Sequence, residues 1–155
     1  MVKNELTVLN QLRDVIDAGL NPVTPSTRSD PEPTPTAPQI PVLIEIPSVD
    51  KMPAKNVVYL LPDYAEYENL ATTNDNAEFR VSMFILSKRA AKADLVTKVY
   101  QVYNQIYDLL RKDMDLNGFV DFTEVNNAEF YPAIEMNESV QGISATVTTH
   151  YTKDF

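Results

Sequence analysis

The sequence contains no cysteine, one histidine and three glycines among its 155 residues. Without cysteine, neither a disulfide nor a thiolate metal site can form. Gly19, Gly118 and Gly142 lie far apart, whereas phosphate-binding loops need clustered glycines for close backbone approach. His150 alone cannot complete a catalytic triad, no Gly-x-Ser-x-Gly elbow is present, and no pair of the plentiful carboxylates stands out. We therefore expect no enzyme, and we predict no catalytic, cofactor-binding or metal-binding residue.

Long apolar runs and net positive charge are absent as well. No run approaches the roughly 20 residues of a membrane-spanning helix, and residues 1–14 lack the apolar stretch of a signal peptide. The net charge of −9 makes the protein repel nucleic acid and anionic membranes unless its charges are segregated. We expect a soluble protein without a membrane partner. Its length and its 44% hydrophobic composition are typical of a single domain over residues 1–155.

Residues 1–20 are predicted to form an N-terminal helix. Large apolar residues recur there at helical spacing: Leu6, Leu9, Leu12, Ile16 and Leu20. Asn4 is a suitable N-cap, and Gly19 suits the left-handed residue at a helix C-terminus. Seven prolines follow within residues 21–41, which favours either a linker or an arm that lies on its own domain or on a neighbouring subunit. We interpret residues 21–41 as a proline-rich extended arm.

Residues 42–155 are predicted to form an α+β core, in which 90–112 is the strongest helix. Strand patterns occur at residues 42–46, 56–70, 78–88, 118–125 and 140–151. Pro62 predicts a sheet edge or a bulge, and the segment 78–88 is apolar on both faces, as in a central strand. His150 falls on the polar face of the last strand. The predicted fold class is α+β: a mostly antiparallel sheet of about five strands with two helices packed on one face.

The segment DMDLNGFVDFTE, residues 113–124, resembles an EF-hand calcium loop. Such a loop needs oxygen ligands at positions 1, 3, 5, 9 and 12 and glycine at position 6, which is Gly118 here. The five ligand positions hold Asp113, Asp115, Asn117, Asp121 and Glu124. The context departs from the motif, because no second loop exists to pair with it and the following residues favour a strand over a helix. We predict a helix end and a tight turn, with calcium binding by this loop as the alternative.

Charge and tyrosine are unevenly distributed. Residues 88–112 contain six Lys or Arg and two acids, whereas residues 113–155 contain eight acids and one Lys. This asymmetry fits complementary subunit contacts or an acidic pore wall, and it equally fits a solvated basic helix face beside acidic loops. The tyrosines of YAEY (64–67) and EFYP (129–132) are candidates for an interface or for cross-strand packing.

The order of these elements resembles the phage tail terminator family, also called tail completion or head–tail joining proteins. The resemblance covers residues 1–20 and 42–155. It rests on a short first helix, on a strand that ends directly in a long helix (FRVSMFILSKRAAKADLVTKVYQVYNQIYDLL), and on two final strands around an acidic and aromatic loop (FVDFTEVNNAEFYPAIEMNESVQGISATVTTHY). The sequence departs from the family in its longer proline-rich segment and in its more acidic DMDLNG turn.

The resemblance implies a structural protein of the virion, located in the tail or neck after assembly in the host cytoplasm. Such proteins form a ring, typically of six subunits, on the last ring of the tail tube, where they end polymerisation and offer a surface to the head–tail connector. DNA passes through the lumen without specific binding. The implied partners are other copies of the chain, the tail tube protein and the connector or neck protein, with no membrane. The alternatives are a calcium-binding module or another neck or head-completion adaptor.

Overall fold

The computed structural model describes residues 3–24, 34–35, 39–70, 72–88, 92–131 and 140–154. Its helices and strands are α1 (Glu5–Leu20), β1 (Val23–Thr24), β2 (Thr34–Pro35), β3 (Val42–Leu43), β4 (Asn56–Asn69), β5 (Asn74–Lys88), α2 (Lys92–Lys112), β6 (Phe122–Tyr131) and β7 (Val140–Asp154). Neither described helix combines the length and the hydropathy that a membrane span requires.

The main sheet has five strands in the order β3-β4-β5-β7-β6. Every neighbouring pair is antiparallel except β3 with β4. Strand β5 is the middle strand, as its two apolar faces predicted. The backbone register shifts between Pro62 and Tyr64, so the predicted irregularity at Pro62 is a bulge. The predicted α+β class, with a mostly antiparallel sheet of about five strands, is confirmed.

Both helices pack on the same face of this sheet, as predicted. Helix α1 contacts β3 and β4, whereas α2 contacts β5, β7 and β6, and the two helices contact each other. Because apolar side chains alternate along the strands, one face buries them against the helices. The fully buried core residues include Leu12, Ile16, Leu60, Met83, Ile85, Leu95, Ile106, Leu110, Leu116 and Ile143.

Little of the predicted proline-rich arm belongs to the described residues. Within it, β1 and β2 form a two-residue antiparallel pair that was not predicted, with Val23 opposite Pro35 and Thr24 opposite Thr34. The arm's residues 25–33 and 36–38 lie outside the described part of the chain. Asn21 is the first residue of the arm, and Ile40 lies near its end. The Asn21 side chain accepts from the Ile40 backbone N–H at 2.6 Å and donates to the Ile40 carbonyl at 2.8 Å. These two bonds hold the two ends of the arm together.

The predicted role of Gly19 is wrong. The helix continues to Leu20, and Asn21 closes it, with its backbone N–H bonded to the Asp17 carbonyl at 2.9 Å. A Cβ at position 19 would lie 2.5 Å from Cδ2 of Leu109 on α2. A side chain at position 19 would displace Leu109, so the close approach of the two helices favours glycine, and a left-handed backbone does not explain it.

The predicted N-cap at Asn4 is confirmed. Its side chain accepts from the Thr7 backbone N–H at 2.9 Å, and the Thr7 hydroxyl accepts from the Asn4 backbone N–H at 2.9 Å. We expect Asn4→Ala to lower the free energy of unfolding by about 1 kcal/mol, because the Thr7 backbone N–H loses its acceptor at the end of the helix. Urea unfolding followed by circular dichroism would measure it. Asn10→Ala, on the exposed helix surface, is the matched control and should cost less, since alanine is the better helix former. Equal losses would show that the cap contributes nothing specific.

Tyr151 of β7 is 1% exposed. Burial raises the pKa of Tyr151, and the negative charge of Glu5 raises it further. The folded protein therefore holds this proton while the unfolded chain releases it near pH 10, so stability is lost as the pH rises above that value. We expect Tyr151→Phe to reduce this loss by at most about 1.4 kcal/mol per pH unit, measured by urea unfolding between pH 9 and 11. Parallel stability curves for the two proteins would contradict the prediction.

Candidate functional site

The face of the sheet opposite the helices, called here the outer face, carries rows of polar and aromatic side chains that cross four strands. In one row Glu66 of β4 lies opposite Glu78 of β5, which lies opposite His150 of β7, which lies opposite Phe122 of β6. The next row holds Tyr64, Arg80, Thr148 and Glu124. Directly opposed residues have Cβ atoms about 5 Å apart, so the side chains of each row are neighbours.

Carboxylates dominate the half of this face nearest the β4–β5 connection. The carboxylates of this half are those of Asp63, Glu66, Glu68, Glu78 and Glu124, and they define what we call the acidic outer face. Among the described strand residues that it spans, Arg80 and His150 are the basic side chains. The acidic outer face is thus a broad surface with a clear excess of negative charge.

The basic groups on this surface are each held by an acid and an aromatic ring. Arg80 lies 3.2 Å from the Glu78 carboxylate, and its guanidinium lies 4.6 Å from the centre of the Tyr64 ring. His150 Nε2 lies 3.5 Å from the Glu124 carboxylate, and its ring stacks on Phe122 with centroids 4.1 Å apart. The predicted outward position of His150 is confirmed. Its Nε2, however, has no hydrogen-bond partner among the described residues.

An open recess of about 360 Å³ lies beside this histidine, and its lining includes Glu66, Glu78, Asp121, Phe122 and His150. Three of these residues are acidic and one is a histidine. The described residues contain no group of three or more His, Asp or Glu side chains arranged to hold a metal ion. The recess forms part of the charged surface.

The EF-hand-like segment forms a turn, as the sequence context predicted. The Asp113 carboxylate accepts from the Asn117 backbone N–H at 2.8 Å, directly after α2 ends. The Asp115 carbonyl accepts from the N–H groups of Phe119 and Val120 at 2.8 and 3.0 Å. The backbone is left-handed over three residues, with φ of 51° at Leu116, 60° at Asn117 and 80° at Gly118.

The last two ligand positions of the alternative calcium loop lie immediately before β6 and within it. The Asp121 backbone N–H donates to the His150 carbonyl at 2.8 Å. Glu124 lies inside β6, opposite Thr148, where its carboxylate faces His150. An EF-hand instead needs a second helix after the loop to bring its twelfth residue back to the ion. The strand that follows Asp121 takes that residue into the sheet.

The turn has a packing function. Leu116 is fully buried although its backbone is left-handed, a conformation that is unfavourable for a leucine. Its carbonyl accepts from the Gln11 side chain of α1 at 3.0 Å. Burial of Leu116 and Val120 under the helices therefore stabilises the turn and joins α2 to β6.

We expect calcium at about 1 mM, a concentration that fills weak extracellular calcium sites, to leave the unfolding temperature unchanged. The physical reason is that Glu124 is held in β6, away from the ligand arrangement of an EF-hand. Differential scanning fluorimetry with calcium, and with magnesium as the control ion, would measure the shift. A stabilisation specific to calcium that disappears in both Asp113→Ala and Glu124→Ala would contradict the prediction.

The two lateral sides of the molecule expose aromatic residues. On the side of β4, Tyr64 is 39% exposed and Tyr67 46%, so the YAEY tyrosines are available for an interface. In EFYP, Phe130 packs against Tyr100 of α2 with ring centroids 5.8 Å apart, while the side chain of the candidate Tyr131 and Pro132 lie outside the described part of the chain. Sequence reasoning missed an exposed stripe on α2, which consists of Val96, Tyr100 and Tyr107. Their spacing along one helix face was the available signal.

Comparison with known proteins identifies a neighbour in fold. No protein-family profile matches the sequence, and no curated protein matches it. Among solved structures, the chain is similar to the sheath/tube terminator of PVC, an extracellular contractile injection system, seen by cryo-EM in its extended state. The TM-score is 0.57 at 13% sequence identity, and the match covers 100% of this chain and 58% of the other. The chain therefore spans less than two thirds of the neighbour's length, and the likeness is one of fold.

Proposed function

We propose that the protein is a structural component of a tail or tail-like particle, where it caps the tube and ends its polymerisation. The observation that carries this proposal is the likeness in fold to a sheath/tube terminator along the whole of this chain. The resemblance of the sequence pattern to phage tail terminators supports the same role.

We further propose that the protein acts as a ring in a bacteriophage tail or neck. In this proposal six copies assemble on the last ring of tail tube protein, and the opposite surface of the ring meets the head–tail connector. The exposed aromatic residues on both lateral sides support the proposal, because Tyr is enriched in protein interfaces. The role needs no catalytic residue, no cofactor and no membrane.

The acidic outer face is the surface that we assign to the lumen of this ring. Double-stranded DNA carries one negative charge per roughly 1.7 Å of its axis, so a lumen with an excess of carboxylates repels it. The bases are not read by such a surface, and the DNA slides without a preferred position. The pairing of Arg80 with Glu78 supports the assignment, because it lowers the availability of that cation for phosphates.

We expect deletion of the gene to give particles whose tubes vary in length and fail to join heads, because nothing ends tube growth. Electron microscopy of particles from the deletion strain would measure tube length, and the same strain carrying the gene on a plasmid is the control. Native mass spectrometry of the purified protein, alone and with tube protein, should show one discrete ring mass near six subunits.

Three outcomes separate the alternatives. Tubes of normal length that fail to join heads would indicate a neck or head-completion adaptor in place of a terminator. Tubes of normal length on intact particles would contradict the proposal altogether. A protein that stays monomeric with and without tube protein would contradict the ring.

A further inference from the structure

The outer edge of β4 is open along most of its length. Strand β3 pairs with β4 at Val58 and Tyr59, and beyond these residues the described part of the chain provides no further partner on that edge. After the bulge at Pro62 the strand continues to Asn69 with mostly exposed residues. The open part carries exposed apolar groups at Tyr64, Tyr67 and Leu70 and exposed carboxylates at Glu66 and Glu68. These five residues define what we call the β4 side.

The opposite lateral side of the molecule is formed by α2 over β6. Val96, Tyr100 and Tyr107 are 43%, 42% and 39% exposed, and the Tyr100–Phe130 stack places this stripe beside β6. The helix ends in two exposed cations, Arg111 and Lys112. The stripe and the two cations define what we call the α2 side. Strands β5 and β7 separate β4 from β6, so the two sides face away from each other.

The charges of the two sides lie at the same end of the sheet. Helix α2 ends at Lys112, and the short turn after it leads to Phe122, which belongs to the same cross-strand row as Glu66. Rotation of one copy about an axis along the strands keeps this end at the same height. The carboxylates of one copy, at the rim of the lumen surface, then lie at the same height as the cations of the next copy.

We propose that copies of this chain associate head to tail, with the β4 side of one copy docked on the α2 side of the next. This proposal rests on the proposed ring function and names the surfaces that build the ring. The occupant of the β4 side is a second copy of the chain, because that copy supplies exposed apolar side chains and two exposed cations. A symmetric contact between two β4 sides centred on Glu66 would place acids against acids, which opposes association. Different surfaces meeting head to tail generate a ring when the rotation closes.

Charge reversal tests the contact without touching the core. The β4-side variant is Glu66→Lys with Glu68→Lys, and the α2-side variant is Arg111→Glu with Lys112→Glu; all four residues are exposed. In each variant alone, both sides carry the same sign, so we expect the ring to disappear and the subunit dissociation constant to rise at least about tenfold. Mixed in equal amounts, each variant offers the other an opposite charge, and we expect an alternating ring with the wild-type subunit number.

The control variant is Asp14→Lys with Asp50→Lys, which reverses two exposed acids outside both sides and should leave the ring mass unchanged. Circular dichroism and thermal unfolding would verify that each variant is folded. If either single variant still forms rings as well as wild type does, or if mixing restores nothing, the surface assignment is wrong. If the wild-type protein forms rings in the same experiment, the proposed function stands and only the surface assignment is overturned. A wild-type protein that never oligomerises, even with tube protein, would overturn both.

Disulfide trapping gives a second measurement, because the natural sequence has no cysteine. We expect a chain carrying both Tyr67→Cys and Tyr107→Cys to form, on mild oxidation, a ladder of linked species that ends at the ring size. Each single-cysteine variant should stay unlinked, since its only thiol faces a different surface of the neighbour. Efficient dimer formation by Tyr67→Cys alone would show a symmetric contact and overturn the head-to-tail assignment.

Discussion

The uninterrupted pairing of β5 with β7 is the constraint on which the rest of the structure depends. It runs from Asn74 opposite Asp154 to Lys88 opposite Val140 without a register shift. A slip of one residue would turn every side chain of one strand to the other face, exposing apolar residues and burying charges. The same register that packs Met83 against the helices therefore also sets Glu78 opposite His150 on the outer face. Core and surface are fixed by one set of backbone hydrogen bonds.

The irregularities lie in the flanking strands. Strand β4 has its bulge after Pro62, and β6 shifts register between Asn126 and Glu129, where Asn127 has a φ of 53°. A bulge bends its strand and increases the local twist. In β4 the bend marks a change from buried residues at 57–60 to mostly exposed residues after 62. The exposed aromatic residues and carboxylates of the β4 side follow from that change.

The alternation of apolar and polar residues and the local chemistry of Pro62 and Asn4 were sufficient to predict the fold class, the central position of β5, the bulge at Pro62 and the helix cap at Asn4. These local patterns could not predict features that depend on residues far apart in the sequence. Gly19 is explained by Leu109, ninety residues further along, which no local helix-end rule contains. The DMDLNGFVDFTE segment matches a calcium loop as a string, yet Glu124 is taken into β6 by its pairing with Thr148. The outer-face row containing His150 likewise needs the registers of three strand pairs, which the sequence does not contain.

Affinity and orientation have different sources in the proposed contact between copies. Tyr67 on one side and Tyr107 on the other provide apolar area, which is insensitive to salt but does not select one orientation. The net charge of −9 makes two copies repel at long range and disfavours most approaches. The exposed cations at the end of α2 instead attract an acidic surface of a neighbouring copy. This attraction acts over roughly 8 Å at physiological salt. The excess of carboxylates thus limits unspecific association, and the few exposed cations determine which side of a neighbour can dock.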